Sequence, residues 1–165
     1  MIPSSLSIEF EELSSVLRMK GLKLSSAESC TGGLFSYLVT SFPGSSEYFL
    51  GSAVTYSNES KESILGVSVD TLKAHGAVSE ETAKEMAAGS LKQYCSDIAV
   101  SVTGIAGPGG ATEEKPIGLV CIAVTDGEKY VTSVNRFTGD RDEVRAASVQ
   151  AMVRDLRCFI SEVLS

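Results

Sequence analysis

At 165 residues with 43% hydrophobic side chains, the chain has the length of one ordinary domain and enough apolar material for a core without disulfide or metal staples. Fourteen Lys and Arg against 21 Asp and Glu leave a formal charge of -7, the wrong sign for gripping nucleic acid by neutralising phosphates. No apolar run approaches the roughly 20 residues that cross a bilayer, and MIPSSLSIEFEELSS lacks the basic start and apolar middle of a signal peptide, so a soluble, cytoplasmic protein is expected.

From Ile8 to Met19, Phe10, Leu13, Val16 and Leu17 share one face at helical spacing and Gly21 supplies a stop. Lys23 to Ser29 reads as a short strand, after which CTGGLFSYLVTSF is a glycine turn opening into a helix that Pro43 ends. SAVTYS, Ser52 to Ser57, reads as another strand. ESKESILGV and SVDTLKAHG read as short helical turns closed by glycine. SEETAKEMAAGSLKQY is a helix with Ser79 as N-cap.

IAVSVTG, Ile98 to Gly104, is β-branched and nearly uninterrupted, as a buried central strand should be. GIAGPGGATEEKPIG is too rich in Gly and Pro for regular structure. LVCIAVT and KYVTSVNRF flank a hairpin turn at Asp126 and Gly127, and the last helix runs from about Arg141 to Val163. Alternating helices and strands predict a layered α/β sandwich whose sheet contains at least one antiparallel pairing, in a single domain covering 1–165.

Cys30, Cys95, Cys121 and Cys158 are scattered and His75 is the one histidine, so neither a disulfide framework nor a zinc site has a signature, and no metal or cofactor is expected. A Ser-His-Asp triad would need His75, which precedes a glycine where a histidine commonly closes a helix.

A serine can instead be activated by a lysine kept neutral by burial or by a neighbouring cation. PGSSEYFLGSAVTYSNESK offers Ser45, Ser46, Tyr56 and Lys61 for that role, whereas on spacing alone a capping serine, a packed tyrosine and a solvated lysine are the commoner arrangement. The S-x-x-K pattern of penicillin-binding enzymes is absent, since Asn58 stands three residues before Lys61.

SCTGG places Ser29, Thr31, Gly32 and Gly33 where a strand enters a helix, so free N–H groups could hold a phosphate or carboxylate, or simply cap the helix. Neither a dinucleotide fingerprint nor a Walker motif is present. Cys30 could be a nucleophile at that helix start, but no histidine stands beside it. TGIAGPGG, with Thr103 and Gly104, follows the probable central strand, at the strand end where open α/β sheets place ligands. Arg141 and Arg145, four apart, form an anion clamp or a solvated ion-pair cluster.

Taken in order, AESCTGG, PGSSEYF, VTYSNESK, LGV, HGAVSE, TGIAGPGG, EEKPIG and FTGDRDEVR resemble the CinA C-terminal domain family over nearly the whole chain. The resemblance implies a three-layer α/β/α sandwich with a mixed, mostly parallel sheet of about five strands, and a homodimer. It also implies hydrolysis of the carboxamide of nicotinamide mononucleotide (NMN) to nicotinic acid mononucleotide and ammonia. On this reading Ser46 is the nucleophile, Lys61 the base and Tyr56 an assisting group, with Arg141 or Arg145 lowering the Lys61 pKa and the turn at Gly44 to Ser46, or another, supplying the oxyanion hole. Ser29, Thr31, Gly32, Gly33, Thr103, Gly104, Arg141 and Arg145 would bind the substrate.

Glycine is usual in the family at the position of Ser52, whereas here it stands at Gly51, and a local adjustment of the strand is expected. No counterpart of the N-terminal domain of full-length members, with its pyrophosphate-containing substrate, is expected, and that activity is not carried over. The alternatives are a non-catalytic nucleotide- or partner-binding domain and an amidase acting on another small substrate.

Overall fold

The computed structural model describes residues 4–162, with side chains from Leu6 onward; Val163, where the last helix was expected to end, lies outside the described residues. Helix α1 (Ser4–Lys20) carries Leu6, Phe10, Leu13 and Leu17 as one buried stripe, so the apolar face extends a turn earlier than the expected start at Ile8. Strand β1 (Leu24–Glu28) and the short helix α2 (Leu34–Thr40) are joined by the SCTGG turn. A turn of 3-10 helix (Ser45–Glu47) leads into β2 (Phe49–Val54).

Strand β2 therefore starts earlier than the expected Ser52 and leaves Tyr56 beyond its end. Helices α3 (Asn58–Leu65), α4 (Val69–His75) and α5 (Glu80–Tyr94) follow; the stretches read as isolated helical turns are full helices, capped by Ser57 and Ser68. The Ser79 hydroxyl accepts from Thr82 N at 3.1 Å, so α5 begins as expected. Strands β3 (Ile98–Gly104), β4 (Leu119–Thr125) and β5 (Tyr130–Arg136) complete the sheet before the long helix α6 (Arg141–Glu162). In the β4–β5 hairpin, Asp126 Oδ1 accepts from Glu128 N and Lys129 N at 3.0 and 2.8 Å.

The sheet order is β2-β1-β3-β4-β5, with β1 parallel to both neighbours and β3–β4 and β4–β5 antiparallel. This mixed sheet, with α1, α2 and α6 packed on one face and α3, α4 and α5 on the other, is the expected α/β/α sandwich.

Side-chain size divides the two faces. Ile98, Val100 and Val102 of β3 and Val120, Ile122 and Val124 of β4 join the large core under α6. On the opposite face Ala123 and Cys121 meet Ala83 and Ala87, so α5 lies close to the sheet. Gly89 lets α3 and α5 touch: a Cβ there would stand 2.0 Å from Leu65 O.

Because β1, β2 and β3 run parallel, their C-terminal ends open on one edge. The segments leaving that edge are Ser29–Gly33, Thr55–Ser57 and Ile105–Gly110.

Candidate active site

At this edge lies a cavity of about 270 Å³ whose lining includes Ser29, Tyr56, Asn58, Lys61, Thr103 and Arg141. Ligand pockets run from roughly 300 Å³ upward, so the recess suits a ring with a small substituent and leaves anything larger at the mouth. A larger groove of about 790 Å³ between α1 and α6, with Glu9, Leu13, Val16, Arg154, Arg157 and Cys158 on its walls, holds no paired nucleophile and base.

Lys61 sits one turn into α3 on the same face as Asn58, and only 1% of it is exposed. Its Nζ donates to Thr55 O at 2.8 Å and lies 3.0 Å from Ser29 Oγ. Among the described residues no carboxylate forms an ion pair with it. Burial lowers its pKa from the ordinary 10.5; the nearby Cys30 sulfur acts the other way. Burial and a neighbouring arginine are the expected causes; burial is the leading one and neither Arg141 nor Arg145 contributes. An amine that loses its proton here can keep donating to Thr55 O while accepting from the Ser29 hydroxyl.

Ser46 is not part of this arrangement. It is exposed in the 3-10 turn before β2, whereas Thr55 and Lys61 follow the strand's other end. Six residues of strand at about 3.3 Å each separate the two places by roughly 20 Å, which corrects the expectation that Ser46 faces Lys61. The hydroxyl beside Lys61 is that of Ser29, 8% exposed at the end of β1. The turn at Gly44 cannot serve as an oxyanion hole for the same reason, and its Ser45 N and Glu47 N already donate to Phe42 O and Gly44 O.

Tyr56 is 61% exposed at the cavity mouth, where its hydroxyl accepts from Arg141 Nη2 at 2.8 Å. Arg141 Nη1 donates to Gly107 O at 2.7 Å, so one guanidinium joins the tyrosine to the glycine-rich loop. Thr103 and Gly104 line the cavity, although the Thr103 hydroxyl is already donated to Ala77 O at 2.7 Å. In the loop, the N–H groups of Ala106, Gly107, Gly109 and Gly110 have no protein acceptor among the described residues. Gly107 and Gly110 adopt φ of 84° and 87°, positive values that glycine takes without strain.

The expected anion site at Thr31, Gly32 and Gly33 is filled from within. Glu28 Oε2 accepts from Thr31 Oγ1 at 2.7 Å and Gly33 N at 3.0 Å, so these donors are not available to a substrate. Gly32 N donates to Ser29 O at 3.0 Å. Arg145 is turned to Thr31 O (2.9 Å) and Asp142 (3.3 Å) and is not among the cavity-lining residues. Cys30 is buried with its thiol pKa pushed up to about 12 by desolvation, so it is a packed thiol rather than a nucleophile. Asn58, which lines the cavity, was missed as a candidate; its signal was the three-residue spacing to Lys61 on a helix.

A CinA C-terminal domain model matches residues 8–160. A CinA-like protein of Chloroherpeton thalassium is 59% identical over 119 residues, which cover 72% of this chain and 28% of the relative. A putative competence-damage inducible protein of Caldicellulosiruptor saccharolyticus is 54% identical over 143 residues, 86% of this chain and 34% of the relative. The chain thus spans about a third of the length of these curated relatives.

Among solved structures, a competence/damage inducible protein of Agrobacterium tumefaciens superposes with a TM-score of 0.93 at 38% identity, covering 96% of this chain and 97% of that one. A CinA superfamily protein of Escherichia coli gives 0.89 at 32%, covering 92% and 88%. Family model, relatives and fold agree, and the chain belongs to the CinA C-terminal domain family.

Proposed function

We propose that the protein is a Ser-Lys amidohydrolase in which Ser29 is the nucleophile and Lys61 the base, acting on the carboxamide of NMN. The observation that carries this reading is the buried Lys61 amine, without an acidic partner among the described residues, 3.0 Å from the Ser29 hydroxyl. A lysine buried in this way costs stability, and a binding module has no use for that cost.

In the proposed reaction Lys61 takes the Ser29 proton as Oγ attacks the carboxamide carbon. The developing oxyanion is met by the unpaired N–H groups of the loop from Ala106 to Gly110. Collapse breaks the C–N bond; the proton returned by Lys61 leaves with the nitrogen as ammonia and an acyl ester remains on Ser29. Water, deprotonated by Lys61, then attacks the ester, releasing the pyridine carboxylate and restoring the Ser29 hydroxyl.

Tyr56 accepts from Arg141 and so keeps its own O–H proton for the substrate. The ring and amide fill the cavity, and a phosphate at the mouth would be held by Arg141 in place of one of its present partners. The substrate reading is tested by ammonia release from NMN, nicotinamide riboside and free nicotinamide. A kcat/KM for NMN at least ~10-fold above the riboside supports an anion-binding mouth, because a charged contact contributes about 1.5–3 kcal/mol. Equal values for the three amides, or none at all, reject it.

A further inference from the structure

Glu28, the last residue of β1, is fully buried directly before the proposed nucleophile. Its Oε2 accepts from Thr31 Oγ1 at 2.7 Å, Gly33 N at 3.0 Å and Phe35 N at 3.1 Å. Its Oε1 accepts from Ser36 N at 2.9 Å, Ser36 Oγ at 2.5 Å and, at a longer 3.4 Å, Ser52 Oγ. Among the described residues it forms no ion pair, so its charge is met by hydrogen bonds alone.

Apart from Ser52, every one of these donors lies in the segment from Thr31 to Ser36 that continues the chain beyond Ser29 and Cys30. Other bonds fix the backbone around it: Thr55 N donates to Glu28 O at 2.8 Å and Ser29 N to Val102 O at 3.1 Å. Arg145 Nη2 closes the far side on Thr31 O at 2.9 Å. A capping serine or asparagine would satisfy one or two of the donors. A carboxylate, which only accepts, can meet N–H and O–H groups arriving from several directions at once.

From this geometry we infer that Glu28 is a positioning residue for Ser29, locking the β1–α2 turn so that the serine hydroxyl stays in line with Lys61. The inference rests on the Ser-Lys reading above. It holds because proton transfer between Ser29 and Lys61 tolerates little displacement: a shift of about 1 Å can lower a rate by roughly 100-fold. On the same reading substrate binding falls mainly to the glycine-rich loop and Arg141, which line the cavity, so loosening this turn should act on the chemical step more than on affinity.

The test is Glu28→Gln, which keeps the side-chain shape but sets an N–H donor among donors. Folding is read by circular dichroism and melting temperature, turnover by ammonia release from NMN, and Ser29 reactivity by the rate of labelling with a fluorophosphonate. The expected result is a folded variant with kcat lowered roughly 10- to 100-fold, KM within about 2-fold of wild type, and labelling slowed by a similar factor. A folded variant whose kcat and labelling rate both stay within about 2-fold of wild type overturns the inference.

If Glu28→Gln does not fold, Thr31→Val and Ser36→Ala decide. Each removes a single hydroxyl donor, and a kcat loss of at least about 3-fold at unchanged KM supports the role, whereas wild-type kcat in both overturns it. Labelling does not depend on the amide chosen. A wild type that labels at Ser29 yet hydrolyses no pyridine carboxamide rejects the amidase reading and leaves the Glu28 comparison standing.

Discussion

Lys61 Nζ lies 3.0 Å from Ser29 Oγ, across 32 positions of sequence, and the two meet because β1 and β2 pair in parallel and end side by side. Glu28 opposite Val54 is the last pair of that ladder, and Ser29 and the segment leading to Lys61, the proposed nucleophile and base, follow it on either strand. What the site can do depends on the protonation of a buried amine.

Stability should carry the signature of that amine. The pKa of Lys61 in the folded state is below 10.5, so between that lowered value and 10.5 the unfolded chain binds more protons and stability rises with pH. Cys30 and Cys121 act oppositely. Their thiols are raised from 9.0 to about 12 and about 11, so from about pH 9 upward the folded state holds the extra protons and stability falls as pH increases. The lysine is isolated by difference: urea denaturation of wild type minus Lys61→Met should give a stability difference that moves in favour of wild type as pH rises towards 10.5. A flat difference contradicts a depressed Lys61 pKa. The methionine variant should also be folded and inactive.

Alkylation should divide the cysteines by burial. Cys95 and Cys158 are exposed, whereas Cys30 and Cys121 are buried with raised pKa values. Iodoacetamide on the native protein near pH 7.5, followed by peptide mass mapping, should modify the first two and spare the others, with turnover retained. Fast modification of Cys30 would contradict its reading as a packed thiol.

Arg141 should resist conservative replacement. Its Nη1 and Nη2 reach two different partners, Gly107 O and the Tyr56 hydroxyl, and a lysine point charge cannot hold both in a fixed fork. Arg141→Lys and Arg141→Ala are expected to lose comparable kcat/KM, on the order of 10- to 100-fold, consistent with about 1.5–3 kcal/mol for a charged hydrogen bond. Recovery of wild-type kcat/KM by lysine would show that charge alone matters.

Gly89→Ala should destabilise in spite of alanine's better helix propensity, which favours the variant by about 1 kcal/mol. The new Cβ would stand 2.0 Å from Leu65 O, and separating α3 from α5 costs roughly 1–3 kcal/mol. A lowered melting temperature is expected, together with reduced turnover because α3 carries Lys61. An unchanged melting temperature would mean that separating the helices costs no more than the propensity gain of about 1 kcal/mol.

The fold was largely legible because hydrophobic periodicity and turn chemistry agreed: the uninterrupted β3, the Asp126–Gly127 hairpin and the Ser79 cap all appear as read. Residue type and spacing leave Lys61 and Tyr56 closer to a solvated lysine and a packed tyrosine, and the family resemblance is what singles them out; the structure brings both to the cavity. The choice of serine comes from the family resemblance, which puts Ser46 opposite Lys61; Ser46 precedes Lys61 by about half the distance in sequence, yet topology sets it at the other end of β2 and brings Ser29 to the lysine instead. The signal for Ser29 was its place at the C-terminal end of a parallel strand, the same rule that pointed to the Thr103 loop. SCTGG reads as a substrate anion site because its donors look free in the sequence, whereas Thr31 Oγ1 and Gly33 N are taken by Glu28, a buried side chain that composition cannot place. For Lys61, burial is expected and acts without the arginine expected beside it; how deeply the amine is buried emerges only when β1, β2 and α3 are assembled.

The central claim, that Ser29 and not Ser46 attacks the substrate, is tested most directly by ammonia release from NMN in Ser29→Ala and Ser46→Ala, each first shown to melt like wild type. The account predicts that Ser29→Ala falls by at least ~10³-fold, as loss of a nucleophile should, while Ser46→Ala stays within about 2-fold of wild type. Retained turnover in Ser29→Ala, or its loss in a folded Ser46→Ala, would contradict it.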